Sequence, residues 1–292
     1  MAYEDPGWNR ASKWLEGECF DPKVELHILG VPMNRSVTSG SCHLAPKAIR
    51  EALFRFGTYS FSEDSDLRQV KVQDHGDTYE PDAIENVSKQ GRAVFLGGDN
   101  GVTRPAVKAL AASQNLELSE IGVITLDAHL DLRHLDDGPM NGNPIRGLVE
   151  DGLPGKNIVQ VGLQSFANSP EYARYGKDHG LRWITAEQCF GPEFDDFFTD
   201  ELHRLSSKVK AVYFDLDIDV LDRAFAPGCP GSRPGGLTPN MVRQAARIAG
   251  KNKKVLAMDI VELDPELDIN SCTAMVCAAC LLEFASGVLA SA

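Results

Sequence analysis

Two short stretches of this sequence hold residues whose types and spacing suit metal chemistry. The first is Ile124 to Arg133, reading ITLDAHLDLR. A β-branched, apolar run (Ile121, Val123, Ile124, Leu126) predicts a buried strand ending in Asp127, His129 and Asp131. Side chains alternate along a strand, so Asp127 and His129 face the same way, and Asp131 joins them if the chain turns there. The second stretch is Asp215, Leu216, Asp217, Ile218, Asp219, where period two puts three carboxylates on one face. Ionised side by side they repel, and a cation relieves them. Asp215 taken alone also suits a solvated or hydrogen-bonded place at a strand edge, and Asp222 suits a loop-shaping acid. Asp127, Asp131, Asp217, Asp219, His129 and the amide of Asn100 form an oxygen-rich donor set, which favours Mn(II) or another hard divalent ion over structural zinc. The carboxylates outnumber the needs of one ion. Two ions about 3.5–4 Å apart, sharing carboxylates and a water-derived hydroxide, would use them all, and hydrolysis is what such a pair serves.

These donors require strands that open on one edge of a sheet. Apolar, β-rich runs recur as VELHILGVP, RQVKVQDHGD, GRAVFLGGDN, the central strand, NIVQVGL, LRWIT, KVKAVYFDLDIDV and KKVLAMDIVEL. Helical periodicity separates them, in PKAIREALFRF, RPAVKALAAS, SPEYARYGKDHG, residues 194–207, GLTPNMVRQAARIAG and the C-terminal SCTAMVCAACLLEFASGVL. Strands spaced by helices imply βαβ crossovers. The expected fold is therefore α/β, a three-layer α/β/α arrangement with a mainly parallel sheet of about eight strands and ligands at the strands' carboxyl ends. Residues 1–22 read as a polar lead. No linker or repeat divides the chain, so a single domain over 1–292 is expected.

Forty-two acids against 29 Lys and Arg give a net charge of −13, which argues against nucleic acid or an anionic membrane as partner. The N-terminus lacks a basic region followed by an apolar core, and no run approaches 18 uninterrupted apolar residues, so a cytoplasmic chain is expected. Seven cysteines with no framework spacing point to thiols, and Cys272, Cys277 and Cys280 to packing on a core helix.

The series GGDN (97–100), DAHLDLR (127–133), DLDIDVLD followed by APG (215–228), PGGLT (234–238) and DIVELDP (259–265) resembles the ureohydrolase superfamily, which includes arginase, agmatinase and formiminoglutamase. The resemblance spans most of the chain and implies the arginase-like version of the fold. It implies Asp127 and Asp217 as bridging ligands, with His129 and Asp219 completing one manganese site and Asp131 with position 100 the other. It places Glu262 where the family holds a guanidinium or amidinium group, and it implies a homo-oligomer, trimer or hexamer. The chain departs from the pattern in places. GGDH becomes GGDN, so an imidazole is replaced by the weaker, neutral ligand Asn100. The loop histidine that serves the leaving amine is Asn141, Arg223 replaces a proline, and Asp215 replaces a common serine. Glu262, Asp131, Asn141 and His134 are the candidate catalytic residues, with His43 a further histidine if the fold brings it close.

Arg133, just beyond the metal ligands, and Arg146 in the same loop system suit a substrate carboxylate, since a guanidinium binds one through two bonds. With Glu262 and Asn141 they make up the candidate substrate-binding set. Formiminoglutamase-like members share DLR, so the first expectation is a small-molecule amidine, N-formimino-L-glutamate, hydrolysed to glutamate and formamide. Arg133 also suits a structural partner of Asp131 or Asp136. A guanidine substrate, as in agmatinase, arginase or guanidinobutyrase, is one alternative. A partly degenerate binding or regulatory protein of the same fold is another.

Overall fold

Ten strands form among the described residues, and their hydrogen bonding decides which belong to the main layer. They are β1 (Val24–Val31), β2 (Tyr59–Ser60), β3 (Ser65–Asp66), β4 (Val70–Asp77), β5 (Arg92–Gly97), β6 (Ile121–Leu126), β7 (Ile158–Leu163), β8 (Arg182–Thr185), β9 (Ala211–Asp217) and β10 (Val255–Val261). In the computed structural model, which describes residues 5, 7–37, 40–191 and 193–292, β2 and β3 make a small hairpin and the other eight make one sheet in the order β4-β1-β5-β10-β9-β6-β7-β8. Every pairing in that sheet is parallel. The expected α/β architecture is the observed one.

The strands read as continuous apolar runs because both faces are covered. Val94 and Leu96 of β5 and Ile124 and Leu126 of β6 enter one core, and Ala93, Phe95, Ile121 and Val123 enter the other. Helices Ala45–Ala52, Phe194–Ser206, Pro239–Lys251 and Cys272–Ala290 close the first face, and Pro81–Ser88, Thr103–Ser113 and Pro144–Glu150 the second. Helix Cys272–Ala290 is long and apolar enough to cross a membrane, yet 72% of its most apolar window is buried within the protein. Cys277 and Cys280 are core thiols on it, and all seven cysteines are free. Residues 5 and 7–22, the described part of the expected polar lead, differ from that expectation. Ala11–Leu15 is a short helix whose Trp14 is fully buried and donates from Nε1 to the Val70 carbonyl at 3.0 Å. Its apolar positions fill barely one turn, too few for periodicity to register.

Helices Pro239–Lys251 and Cys272–Ala290 meet backbone to backbone at Gly250 and Gly287. A Cβ on Gly287 would lie 2.1 Å from the Arg247 carbonyl oxygen. Helix propensity by itself favours alanine over glycine by about 1 kcal/mol, but the contact overrules it. Gly287→Ala should therefore destabilise the protein by about 1–3 kcal/mol in denaturant titration. A gain in stability would show that the helices do not approach this closely in solution.

Candidate active site

Four neighbouring strands at the centre of the sheet, β5, β10, β9 and β6, end at one edge, and the chemistry-bearing residues follow their carboxyl ends. This is where parallel sheets open a crevice. β6 stops at Leu126, so Asp127, His129 and Asp131 lie in the loop beyond it. The turn at Asp131 is made by a left-handed backbone, φ 51°. Asp219 likewise lies past its strand, in the turn Ile218–Val220, and that turn brings it to the site in place of the expected alternation along β9.

The loops are held by the same carboxylates. Asp219 Oδ1 accepts from the Ala128 amide at 3.0 Å, Asp217 Oδ1 from the Asp219 amide at 2.8 Å, and Asp127 Oδ1 from the His129 amide at 2.6 Å. Asn168 clamps the loop from outside, accepting from the Leu130 amide at 2.7 Å and donating to the Ala128 carbonyl at 3.0 Å. Gln160 donates to the Leu130 carbonyl at 3.0 Å. Ligand atoms of Asp127, His129 and Asp219 lie within 4.8 Å of one another, and so do those of Asp127, Asp131 and Asp217. Asp127 is common to both sets. Its Oδ2 is buried with no hydrogen-bond partner among the described residues. His129 Nδ1 faces the same space, 2.6 Å from Asp219 Oδ2 and 3.7 Å from Asp127 Oδ1. A partnerless buried oxygen among converging carboxylates fits a bound cation.

Asn100 follows β5. Its Nδ2 donates to Asp131 Oδ2 at 2.7 Å, and its Oδ1 lies 2.6 Å from Thr103 Oγ1. The oxygen therefore points away from the cluster, contrary to its expected role as a ligand. The Thr103 hydroxyl also reaches Asp259 Oδ2 at 2.8 Å and has a single proton. Given to Asp259, that proton leaves Thr103 free to accept from a flipped amide, which then offers Oδ1 to the Asp131 side. Glu262, after β10, has φ 68° and is 5% exposed. Its Oε1 accepts from the Asn100 amide at 2.8 Å and from Asn141 Nδ2 at 3.0 Å. Asn141 is thus a positioning partner of Glu262.

His129, Asp131, Asp217, Asp219, Asn141 and Glu262 border a cavity of about 430 Å³, whose wall also includes Arg133, Arg233, Asn168 and Tyr172. Three sequence candidates lie elsewhere. Arg146 pairs with Glu150 at 2.8 Å and stacks over Tyr175, so its charge is already matched. His134 is exposed and bonds Glu171 at 2.9 Å. His43 borders a different cavity, with Pro32 and Tyr79. Asp215 is fully buried behind the cluster, beside Asp259, whose Oδ2 also accepts from Tyr213 at 2.7 Å. Arg233 and Asn168 escaped the sequence reading. The one signal for Arg233 was its place directly before the PGG turn.

Burial, then Asp219, pushes Asp127 up to about 7, and burial raises Glu262 to about 8 against the hydrogen bonds from Asn100 and Asn141. Burial, then neighbouring aspartates, lifts Asp131 and Asp217 well above the carboxylate range. Burial acts on Asp219 in the same sense but is overcome by the His129 imidazole, so Asp219 is lowered. Asp219, chiefly, raises His129 to about 11.

A match to the arginase family model covers residues 24–286. The chain belongs to the arginase family. It is 37% identical to the formimidoylglutamase of Halalkalibacterium halodurans over 89% of this chain and 86% of that one. It is 28% identical to the human mitochondrial guanidino acid hydrolase, over 89% and 77%. The crystal structure of formimidoylglutamase from Bacillus subtilis superposes with a TM-score of 0.88 at 27% identity, covering 99% of this chain and 94% of that one. A Trypanosoma cruzi formiminoglutamase structure with Mn2+ has the same fold, with a TM-score of 0.83 at 23% identity over 96% and 98%.

In the metal-free protein, Asp127 and Glu262 keep protons that the unfolded chain, with carboxyl values of about 4, releases. Stability should then fall as pH rises from about 5 to 8. His129 acts in the same sense, because its contribution is full below about 6.5 and lost as pH climbs towards 11. The melting temperature of chelator-treated protein is expected to be lower at pH 8 than at pH 6, and a saturating divalent cation to raise it more at pH 8. A metal-free melting temperature that increases over this interval contradicts the assigned burial of these acids.

Proposed function

We propose that this protein is a manganese-dependent amidine hydrolase that converts N-formimino-L-glutamate and water to glutamate and formamide. The observation that carries the reading is one cavity with opposed charges. Buried carboxylates line its floor and the cations of Arg133 and Arg233 its wall, matching a substrate positive at its amidinium and negative at two carboxylates. The resemblance to bacterial formimidoylglutamases supports it. The residues in position to hold two ions are Asp127, His129 and Asp219 on one side and Asp127, Asp131 and Asp217 on the other, with Asn100 after its amide flips. When bound, the metals supply a water acidic enough to be a nucleophile near neutral pH.

The chain's own groups do the rest. Glu262 accepts the amidinium, with Asn100 and Asn141 fixing Oε1 and leaving Oε2 with no partner among the described residues. Asp131 takes the proton from the attacking water and returns it to the departing amine, the position of His134 outside the cavity excluding it from that part. Arg133, which makes no ion pair among the described residues and stands at the cavity wall, holds a substrate carboxylate by charge-assisted bonds.

Arg133→Ala should raise KM for formiminoglutamate about 10- to 100-fold with a smaller effect on kcat. Arginine and agmatine are the control substrates for the unaltered protein. Turnover of agmatine without turnover of formiminoglutamate would replace the substrate assignment by the guanidine alternative. Turnover of none, with two ions bound, would favour the binding-protein alternative.

Metal counting by mass spectrometry tests the donor set separately. Two ions per chain are expected, one released first on dialysis because the Asn100 amide is a neutral ligand, and Asn100→His should slow that release. Equal retention of both ions, unchanged by the substitution, would remove Asn100 from the metal site.

A further inference from the structure

Arg233 belongs to the turn 231–235 and stands at the cavity wall beside the metal-type cluster. Its Nη1 lies 2.6 Å from His129 Nε2 and 3.0 Å from the Gly231 carbonyl oxygen. It has no carboxylate partner among the described residues, whereas Arg104 is matched with Asp151 and Arg146 with Glu150. His129 turns Nδ1 towards Asp127 and Asp219 and Nε2 towards Arg233. A guanidinium has donors only. Among the described residues the five N–H groups of Arg233 have one carbonyl oxygen and one imidazole nitrogen between them.

A cation in that position needs an anion from the cavity. In the substrate proposed above, only the nitrogen and Cα separate the amidine carbon from the α-carboxyl group, so the α-carboxylate must come close to the metals when the amidine does. Arg233 touches a residue of the metal cluster, while Arg133 is placed by its packing against Gly142 in the outer loop. We propose that Arg233 binds the α-carboxylate of the substrate and thereby sets specificity, leaving the side-chain carboxylate to Arg133. The assignment rests on the amidine-hydrolase reading of this site. It has a selective consequence. A substrate without an α-carboxylate, or with an amine in its place, leaves a guanidinium unpaired beside the metals, and discrimination comes as much from that penalty as from the bond made.

The test uses the manganese-loaded protein and its Arg233→Met and Arg233→Lys variants. Calorimetric titration compares L-glutamate, the expected product, with 4-aminobutyrate, which is glutamate without its α-carboxylate. Initial rates compare N-formimino-L-glutamate with N-formimino-4-aminobutyrate. Arg233→Met should weaken glutamate about 10- to 100-fold and reduce its preference over 4-aminobutyrate by the same factor, at unchanged metal content. Arg233→Lys, which keeps the charge without the fork, should recover part of the loss. Equal weakening of both ligands, or of neither, overturns the assignment, as does an unaltered protein that does not prefer glutamate. Absence of formiminoglutamate hydrolysis together with glutamate discrimination that depends on Arg233 would sink the proposed reaction and leave this carboxylate site standing.

Discussion

Burial of closely spaced carboxylates governs this molecule. Asp127, Asp131, Asp217, Asp219 and Glu262 are all at most 9% exposed, four of them line one cavity, and the His129 imidazole reaches in among them beside Asp127 and Asp219. Without a cation the cluster keeps protons, and burial is the principal reason. The fold tolerates this because the site lies at the edge of the sheet, while the cores on either side are apolar and carry the stability. The charge tension is thus confined to loops that the strands hold in place.

Those loops are built with two functions for each residue. Asp219 both faces His129 and accepts the Ala128 amide, and Asp217 both joins the cluster and caps the turn containing Asp219. Asp99, fully buried after β5, accepts from the Arg35 and Gly101 amides and ties the 33–36 segment to the glycine turn. Gly98 is what allows that approach, since a Cβ there would lie 1.8 Å from the Met33 carbonyl oxygen. Left-handed backbone at Asp131 and Glu262 is a related compromise, costing about 1–2 kcal/mol each to aim carboxylates that an extended strand would point elsewhere.

The polar side of the cavity answers the acidic side. Arg133 and Arg233 stand there free of carboxylate partners within the described residues, in a chain whose net charge is −13. Acids numerous enough to neutralise them are present, yet the nearby ones are held by amides or face the metal space. This separation of sign within one cavity is unusual for a purely structural cluster and is what a substrate bearing opposite charges at its two ends would require.

Much of this was legible in the sequence because it depends on local pattern. Apolar runs alternating with helical periodicity specify βαβ units, and right-handed parallel crossovers leave few other ways to arrange eight of them. Acids placed at the ends of such runs fall at one edge whatever the details, which is why Asp127, His129, Asp131, Asp217, Asp219 and Glu262 were found together. What pattern does not contain is the direction of side chains beyond a strand's last residue. Asp219 arrives through a turn where alternation along the strand was expected, Asn100 presents nitrogen where oxygen was expected, and Arg146 and His134 were claimed by Glu150 and Glu171. Trp14 gave no local signal and Arg233 only its place before the PGG turn, for their contacts come from Val70 and His129, residues 56 and 104 positions away. The strand-and-helix alternation and the edge where the acids meet follow from hydrophobic pattern, whereas strand order and the partner each polar group takes are settled among neighbours that only the folded chain brings within reach.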